Sequence, residues 1–182
     1  PEVEISKIGF SMQNGEESIK STLKWFPYNK SGDFRKWYGN QESIVNWEND
    51  GIEIHNIFDK KGKLRSRPQN KDYYFKEGIT WCLFGYNNFG VRYTPAGFLF
   101  DVGGSSAFPK QQELLYLTSL LTSKIAYYFL SILAPTVNYQ VGDIANIPIV
   151  FIKNELFIYQ INNQTKQNIE FSKSDWDSRE TS

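Results

Sequence analysis

The sequence predicts a mixed α+β domain in which a strand-rich globular lobe is followed by helices. Three observations predict it. Runs of β-type residues fall in the first two thirds of the 182 residues. From Leu114 to Leu133 apolar residues recur at three- and four-residue spacing, the period of a helix with one apolar face. Strands and helices do not alternate in the manner of βαβ units.

Taken in order, Leu23–Tyr28 reads as a strand and the following Asn29-Lys30-Ser31-Gly32-Asp33 as a turn. Phe34–Tyr38 is the expected hairpin partner. Glu48–Phe58 reads as a short helix with Ile54, Ile57 and Phe58 on one side. Residues 60–72 contain Gly62, Pro68, Gln69 and Asn70 and read as an exposed loop. Ile79–Phe84 is a buried strand candidate, and Val91–Thr94 and Gly97–Asp101 are two more, separated by Pro95. The helical part is expected from Pro109, a suitable first-turn proline, with Ser119, Thr122 and Ser123 as places for a break and Pro135 as the stop. Tyr139–Val141 reads as a strand, Gly142–Asn146 as a single turn, and Ile147–Val150 as an extended exit. Asn154–Ile169 reads as an amphipathic helix. Phe157, Tyr159 and Ile161 on it are expected near an apolar surface that little of the remaining chain covers. Ser174 and Asp177 have capping-box spacing and read as the start of a further helix, as if the chain were cut from a longer protein.

Lys+Arg and Asp+Glu number 20 each, so the net charge is zero and a globally basic nucleic-acid binder is excluded. The charge is unevenly spread. Residues 20–76 carry 12 basic against seven acidic groups. Within them, Lys60, Lys61, Lys63, Arg65, Arg67, Lys71 and Lys76 face one acid, Asp72. One cysteine, Cys82, excludes an internal disulfide and a multi-cysteine zinc site, and one histidine, His55, excludes a two-histidine metal site. No signal-type segment is seen, and the apolar run Ile125–Leu133 is far short of the roughly 18 residues a membrane span needs. A reducing cytoplasm is the expected compartment, with no membrane partner.

Enzyme readings lack parts. There is no glycine-rich dinucleotide fingerprint and no Walker loop. Gly103-Gly104-Ser105-Ser106-Ala107 lacks the last glycine of a nucleophile elbow and reads as a turn after a strand. Cys82, between Trp81 and Leu83, reads as a buried inert thiol. His55 reads as an exposed or capping side chain. No two of the 20 acids single themselves out as a catalytic pair.

The basic loop offers more. Lys60, Lys61, Lys63 and Lys71 are long mobile cations of the kind that neutralise phosphates and release counterions. Arg65 and Arg67 have the fork geometry that reads guanine edges, and the Gln69 and Asn70 amides can pair with adenine. Lys24–Asn40 interleaves aromatics with cations, including Arg35, Lys36 and Trp37, as a stacking and phosphate surface would. The competing accounts are a solvated loop for the first and an aromatic core hairpin for the second.

Several strings carry a family resemblance. Lys24–Asn40, Val45-Asn46-Trp47-Glu48-Asn49-Asp50-Gly51, Gly78-Ile79-Thr80-Trp81, Pro135–Ile144 and Ser172–Ser178 resemble the C-terminal half of the PglX family. These are the adenine-specific DNA methyltransferases of BREX phage-defence systems. The likeness spans about residues 20–182. More loosely, Leu114–Leu133 and Gly142–Ile149 resemble the specificity domains of type IIG and type I restriction-modification systems.

The resemblance implies a bacterial target-recognition domain over residues 1–152 and, over 153–182, a C-terminal helical segment that begins the next region. It implies double-stranded DNA as partner, together with the methyltransferase domain of the parent and, beyond it, other defence-system proteins. The family's Asn-Pro-Pro-aromatic and Phe-x-Gly-x-Gly motifs are absent from these residues. S-adenosylmethionine is therefore expected to belong to the parent's catalytic half, with no cofactor and no catalytic residue here. Two other readings stand beside this one: a protein-interaction domain that docks the methyltransferase to defence partners, and a hydrolase with an aromatic cleft.

Overall fold

The computed structural model describes residues 3–85, 89–136 and 138–178. Val137, within one of the family-like strings, and residues 179–182 of the C-terminal segment lie outside the described residues. The chain is mixed α+β, as expected. Two three-stranded sheets occupy its first part, and four of its six described α-helices follow them.

The first sheet is built on β1 (Trp25–Asn29), with β2 (Ile44–Asn46) antiparallel on one side and β5 (Leu99–Phe100) parallel on the other. Pro27, which cannot donate to a ladder, sits in this middle strand. It is tolerated because, on the edge away from β2, β5 begins only at the Tyr28–Leu99 pair and Ile8 bridges only Trp25. Pro27 thus falls between two partners. The second sheet has β3 (Gly78–Trp81) between β4 (Val91–Thr94) and β6 (Ser106–Ala107), both antiparallel to it.

Phe34–Tyr38 does not return as the hairpin partner of β1. Trp37 takes a left-handed φ of 71° and pairs with β4, donating its N–H to Val91 at 2.8 Å and accepting from Tyr93 N at 2.7 Å. The Asn29–Asp33 stretch is too long and too committed for a tight turn. Ser31 donates to the Gly103 carbonyl and Arg92 to the Lys30 carbonyl, so the loop is held down across the molecule.

Short α1 (Gly15–Lys20) is capped by Asn14, whose side chain accepts from Glu17 N at 3.0 Å. Helix α2 (Glu48–His55) opens on a left-handed turn, with φ of 49°, 59° and 75° at Asn49, Asp50 and Gly51. Gly51 is required there twice over: its φ is positive, and a Cβ would stand 2.5 Å from the Trp47 ring.

The helical part begins at Leu114 rather than Pro109. Helix α3 (Leu114–Thr122) breaks at Ser123, as the sequence suggests, because Ser123 leaves helical geometry and caps α4 (Lys124–Leu133) by accepting from Ala126 N. Tyr139–Val141 is not a strand. Asn138 alone bridges Phe84, and Val141 already opens α5 (Val141–Ala145), where Asp143 accepts from Gln140 N at 3.0 Å. Ser174 does not start a helix but lies inside α6 (Glu155–Asp177). That helix is capped by Asn154 and continued in its last turn by the Lys173–Asp177 pair.

Each sheet has its own core. The second sheet packs Ile79, Trp81 and Val91 against Leu114, Leu121 and Leu130 of α3 and α4. The first sheet encloses Phe26, Trp47, Tyr74, Phe75 and Leu99. The far half of α6 is sewn to the rest by Ile169 and Trp176 against Tyr38, and it runs along α3. Its first half is different, with Leu156, Phe157 and Tyr159 more than half exposed and Ile161 half-buried. Among the described residues no helix is long and apolar enough to cross a membrane.

Candidate nucleic-acid interface

The basic loop is an ordered projection with a defined turn at its tip. Phe58 and Leu64 pair antiparallel, and Asp59 N donates to Lys63 O at 2.9 Å. The Asp59 carboxylate accepts from Lys61 N at 2.8 Å and Lys63 N at 2.9 Å, while Gly62 takes a left-handed φ of 75°. This Asx-type turn turns backbone donors inward and leaves the Lys60, Lys61 and Lys63 side chains exposed. Arg65 N donates to Ile57 O at 2.7 Å and ends the projection.

Beyond it the chain runs extended. Ser66 and Pro68 are half-buried, and Arg67 and Gln69 are exposed. Asn70, at φ 57°, turns the chain into Lys71. The Lys71 ammonium pairs with Asp50 and lies 5.7 Å over the Trp47 ring, which ties the loop to α2. Among the described residues, Lys60, Lys61, Lys63, Arg65 and Arg67 have no carboxylate partner.

Between the loop and the first sheet lies a cleft of about 510 Å³. Arg67, Gln69 and Asn70 line it on the loop side. Tyr28, Trp47, Tyr74 and Phe100 supply aromatic surface opposite. The rings brace one another: Tyr74 meets Trp47 and Phe100 edge-on, each with centroids 5.2 Å apart. Asp101 sits among them and accepts from Gly103 N at 2.8 Å and Gly104 N at 3.2 Å, holding the glycine turn after β5. Burial, and then a hydrogen bond to Asp101, pushes the Tyr28 phenol far above its usual pKa. Burial and the nearby Asp101 and Asp50 charges raise Tyr74 as well. Among the described residues Asp101 is the one acid lining this cleft, whereas a paired-carboxylate hydrolase needs two.

The structure therefore brings Arg67, Gln69 and Asn70 together and keeps Lys60, Lys61, Lys63 and Arg65 on the adjoining projection. It ties Arg35 and Lys36 elsewhere. The Arg35 guanidinium pairs with Asp175 at 3.2 Å and lies 4.8 Å over the Trp176 ring, and Lys36 donates to the Thr122 carbonyl at the end of α3 at 3.0 Å. Cys82 is half-buried rather than fully enclosed: the strand ends at Trp81, and Arg92 Nη1 donates to its sulfur at 3.2 Å. His55 ends α2 beside the Trp47 ring. No cluster of metal-ligating side chains occurs among the described residues.

The aromatic side of the cleft was not apparent from sequence, because Tyr28, Trp47, Tyr74 and Phe100 are dispersed over more than 70 positions. One local signal was present: an aspartate two residues before a double glycine, Asp101-Val102-Gly103-Gly104, is a capping pattern, and it marks Asp101.

No protein-family model matches the chain. It is 43% identical over 166 residues to the adenine-specific methyltransferase BrxX of Escherichia coli O9:H4 (strain HS), an alignment covering 90% of this chain and 13% of the relative. It is 38% identical over 183 aligned positions to the adenine-specific methyltransferase PglX of Lacticaseibacillus casei (strain Zhang), covering 100% of this chain and 15% of that protein. The chain thus spans about one seventh of the length of these curated relatives, and over most of its own length it is homologous to a segment of adenine-specific methyltransferases.

Proposed function

We propose that this chain is a DNA target-recognition domain of an adenine-N6 DNA methyltransferase of a BREX-type phage-defence system. It binds duplex DNA and positions it for methyl transfer by a catalytic part, with S-adenosylmethionine, outside these residues. The observation that carries this reading is the ordered projection with four cations, and Arg67 beside it, that have no acid partner among the described residues, in a chain homologous to adenine-specific methyltransferases. Exposed cations this close repel one another only modestly, since charges are screened beyond roughly 8 Å at physiological salt. A phosphate backbone removes that repulsion and releases counterions. Lys60, Lys61, Lys63 and Arg65 serve phosphate contact, and Arg67, Gln69 and Asn70 serve base contact at the mouth of the cleft. The exposed apolar side chains at the start of α6 suit packing against the methyltransferase part.

Salt-dependent DNA binding tests the proposal. Each cation on a phosphate contributes about −0.9 to the slope of log affinity against log salt. Replacing Lys60, Lys61 and Lys63 by alanine is expected to flatten that slope by up to about three and to weaken all DNA sequences alike. Unchanged slope and affinity would leave the loop as a solvated surface.

A further inference from the structure

We infer that the cleft beside the basic loop seats one unpaired nucleobase of the bound DNA, with the base face on the aromatic side and its edge toward Gln69, Asn70 and Asp101. The inference rests on the recognition reading above and names what that site takes. A base within a paired, stacked duplex presents only its edge to a groove and has no free face to lay on a ring. An aromatic surface gains contact from an unpaired base alone, at a typical cost of about 5- to 150-fold in affinity when the ring is lost. The cleft is of the size that takes a nucleotide-sized group. Its two sides have the two chemistries a base requires, which are ring surface from the half-buried Tyr28 and Phe100, backed by the buried Trp47 and Tyr74, and hydrogen-bonding groups around them.

Those groups are complementary in kind. Gln69 and Asn70 each offer a donor and an acceptor, Arg67 only donors, and Asp101 only acceptors. Tyr74 braces Trp47 and Phe100 by edge contacts, so these rings need little ordering on binding. Charge complementarity completes the case. Arg67 stands in the cleft lining, and the unpartnered cations of the 60–65 projection adjoin it, where the phosphates flanking an unpaired base must run. A neutral planar ligand would have no use for them.

The test uses three duplexes of one sequence: fully paired, with a single bulged 2-aminopurine, and with a bulged abasic residue. Binding is followed by anisotropy, and stacking by quenching of the 2-aminopurine. The chain is expected to prefer the bulged base over the abasic bulge by at least about fivefold, with quenching. Ser66→Trp, which fills the cleft from its half-buried lining, is expected to abolish preference and quenching while leaving the paired duplex affinity and its salt slope intact. If that variant does not fold, Arg67→Ala with Gln69→Ala, both at exposed positions, is expected to reduce the preference at least about fivefold. Duplex binding with normal salt dependence but no preference for the base, or a preference untouched in these variants, overturns the inference and leaves the recognition reading standing. If no duplex binds, the recognition reading fails. Nucleoside monophosphates titrated against the chain by NMR then decide the cleft, with shifts at its lining supporting the inference and none overturning it.

Discussion

Arg35→Ala separates a structural cation from a DNA-contacting one. The Arg35 side chain is 13% exposed, and its partner Asp175 is 66% exposed. The ion pair is therefore mostly solvated and worth about 0.2–1 kcal/mol. The stack on Trp176, a residue 6% exposed, is worth more, about 1–2 kcal/mol for a largely desolvated cation over an indole. Together the loss is about 2 kcal/mol, and the melting temperature is expected to fall by about 4–8 °C. The assay is thermal and urea unfolding with and without about 1 M salt, where the Debye length is about 3 Å. Because most of the loss comes from the stack, at least half of it should persist in high salt, and Asp175→Asn should cost no more than about 1 kcal/mol. An Arg35→Ala protein that melts with the parent but binds DNA with a flatter salt slope would refute this reasoning and make Arg35 a phosphate contact.

Other outcomes are equally specific. Arg67→Ala is expected to relax sequence preference at one position, by about 1–3 kcal/mol, in a competition between duplex variants, whereas Arg65→Ala should weaken all of them alike. Gly51→Ala should cost about 2–4 kcal/mol in chemical denaturation, from the left-handed backbone together with the 2.5 Å approach to Trp47. Serine at Leu156, Phe157 and Tyr159 together should leave the melting temperature within about 2–4 °C and reduce binding of an apolar dye. The phenols of Tyr28, Tyr74 and Tyr93 are raised chiefly by burial, so the folded state holds their protons more tightly than the unfolded state. Their contribution is complete below the ordinary value of 10.0 and is lost as the pH climbs through it toward the folded values. Denaturation midpoints should therefore fall above that pH, with tyrosinate absorbance lagging in the native protein.

What could be read in advance was what depends on neighbours in sequence. The β-run at Leu23–Tyr28, the helix break at Ser123 and the loop character of 60–72 all follow from local chemistry, and each stands where expected. The partner of β1 could not be read. Phe34–Tyr38 has the composition for it, but Trp37 is drawn to Val91 and Tyr93, and Ile44–Asn46 takes the place instead. The same limit applied to the site. The cations of the loop are contiguous and visible, whereas the rings opposite them come from four separate segments of the chain. Arg35 and Lys36 resembled the loop cations in type and differed only in what the helices bring against them, a distant matter for Asp175 and Thr122.

The two-sided pairing of β1 also bears on synthesis. Its near partner β2 follows within 20 residues, but β5 arrives some 70 residues later. At the pace of translation that gap is on the order of 10 s, during which the strand beyond the Ile8 bridge to Trp25, Phe26-Pro27-Tyr28, has an open side. Two aromatics on an open edge are an invitation to pair with another nascent chain. The residue without an N–H stands in the middle of that edge and interrupts the hydrogen-bond row a stranger would need. Pro27 then acts as a gatekeeper for the newborn chain at a point where the finished sheet asks nothing of it, and Pro27→Val should yield a protein of normal fold and poorer recovery from the ribosome.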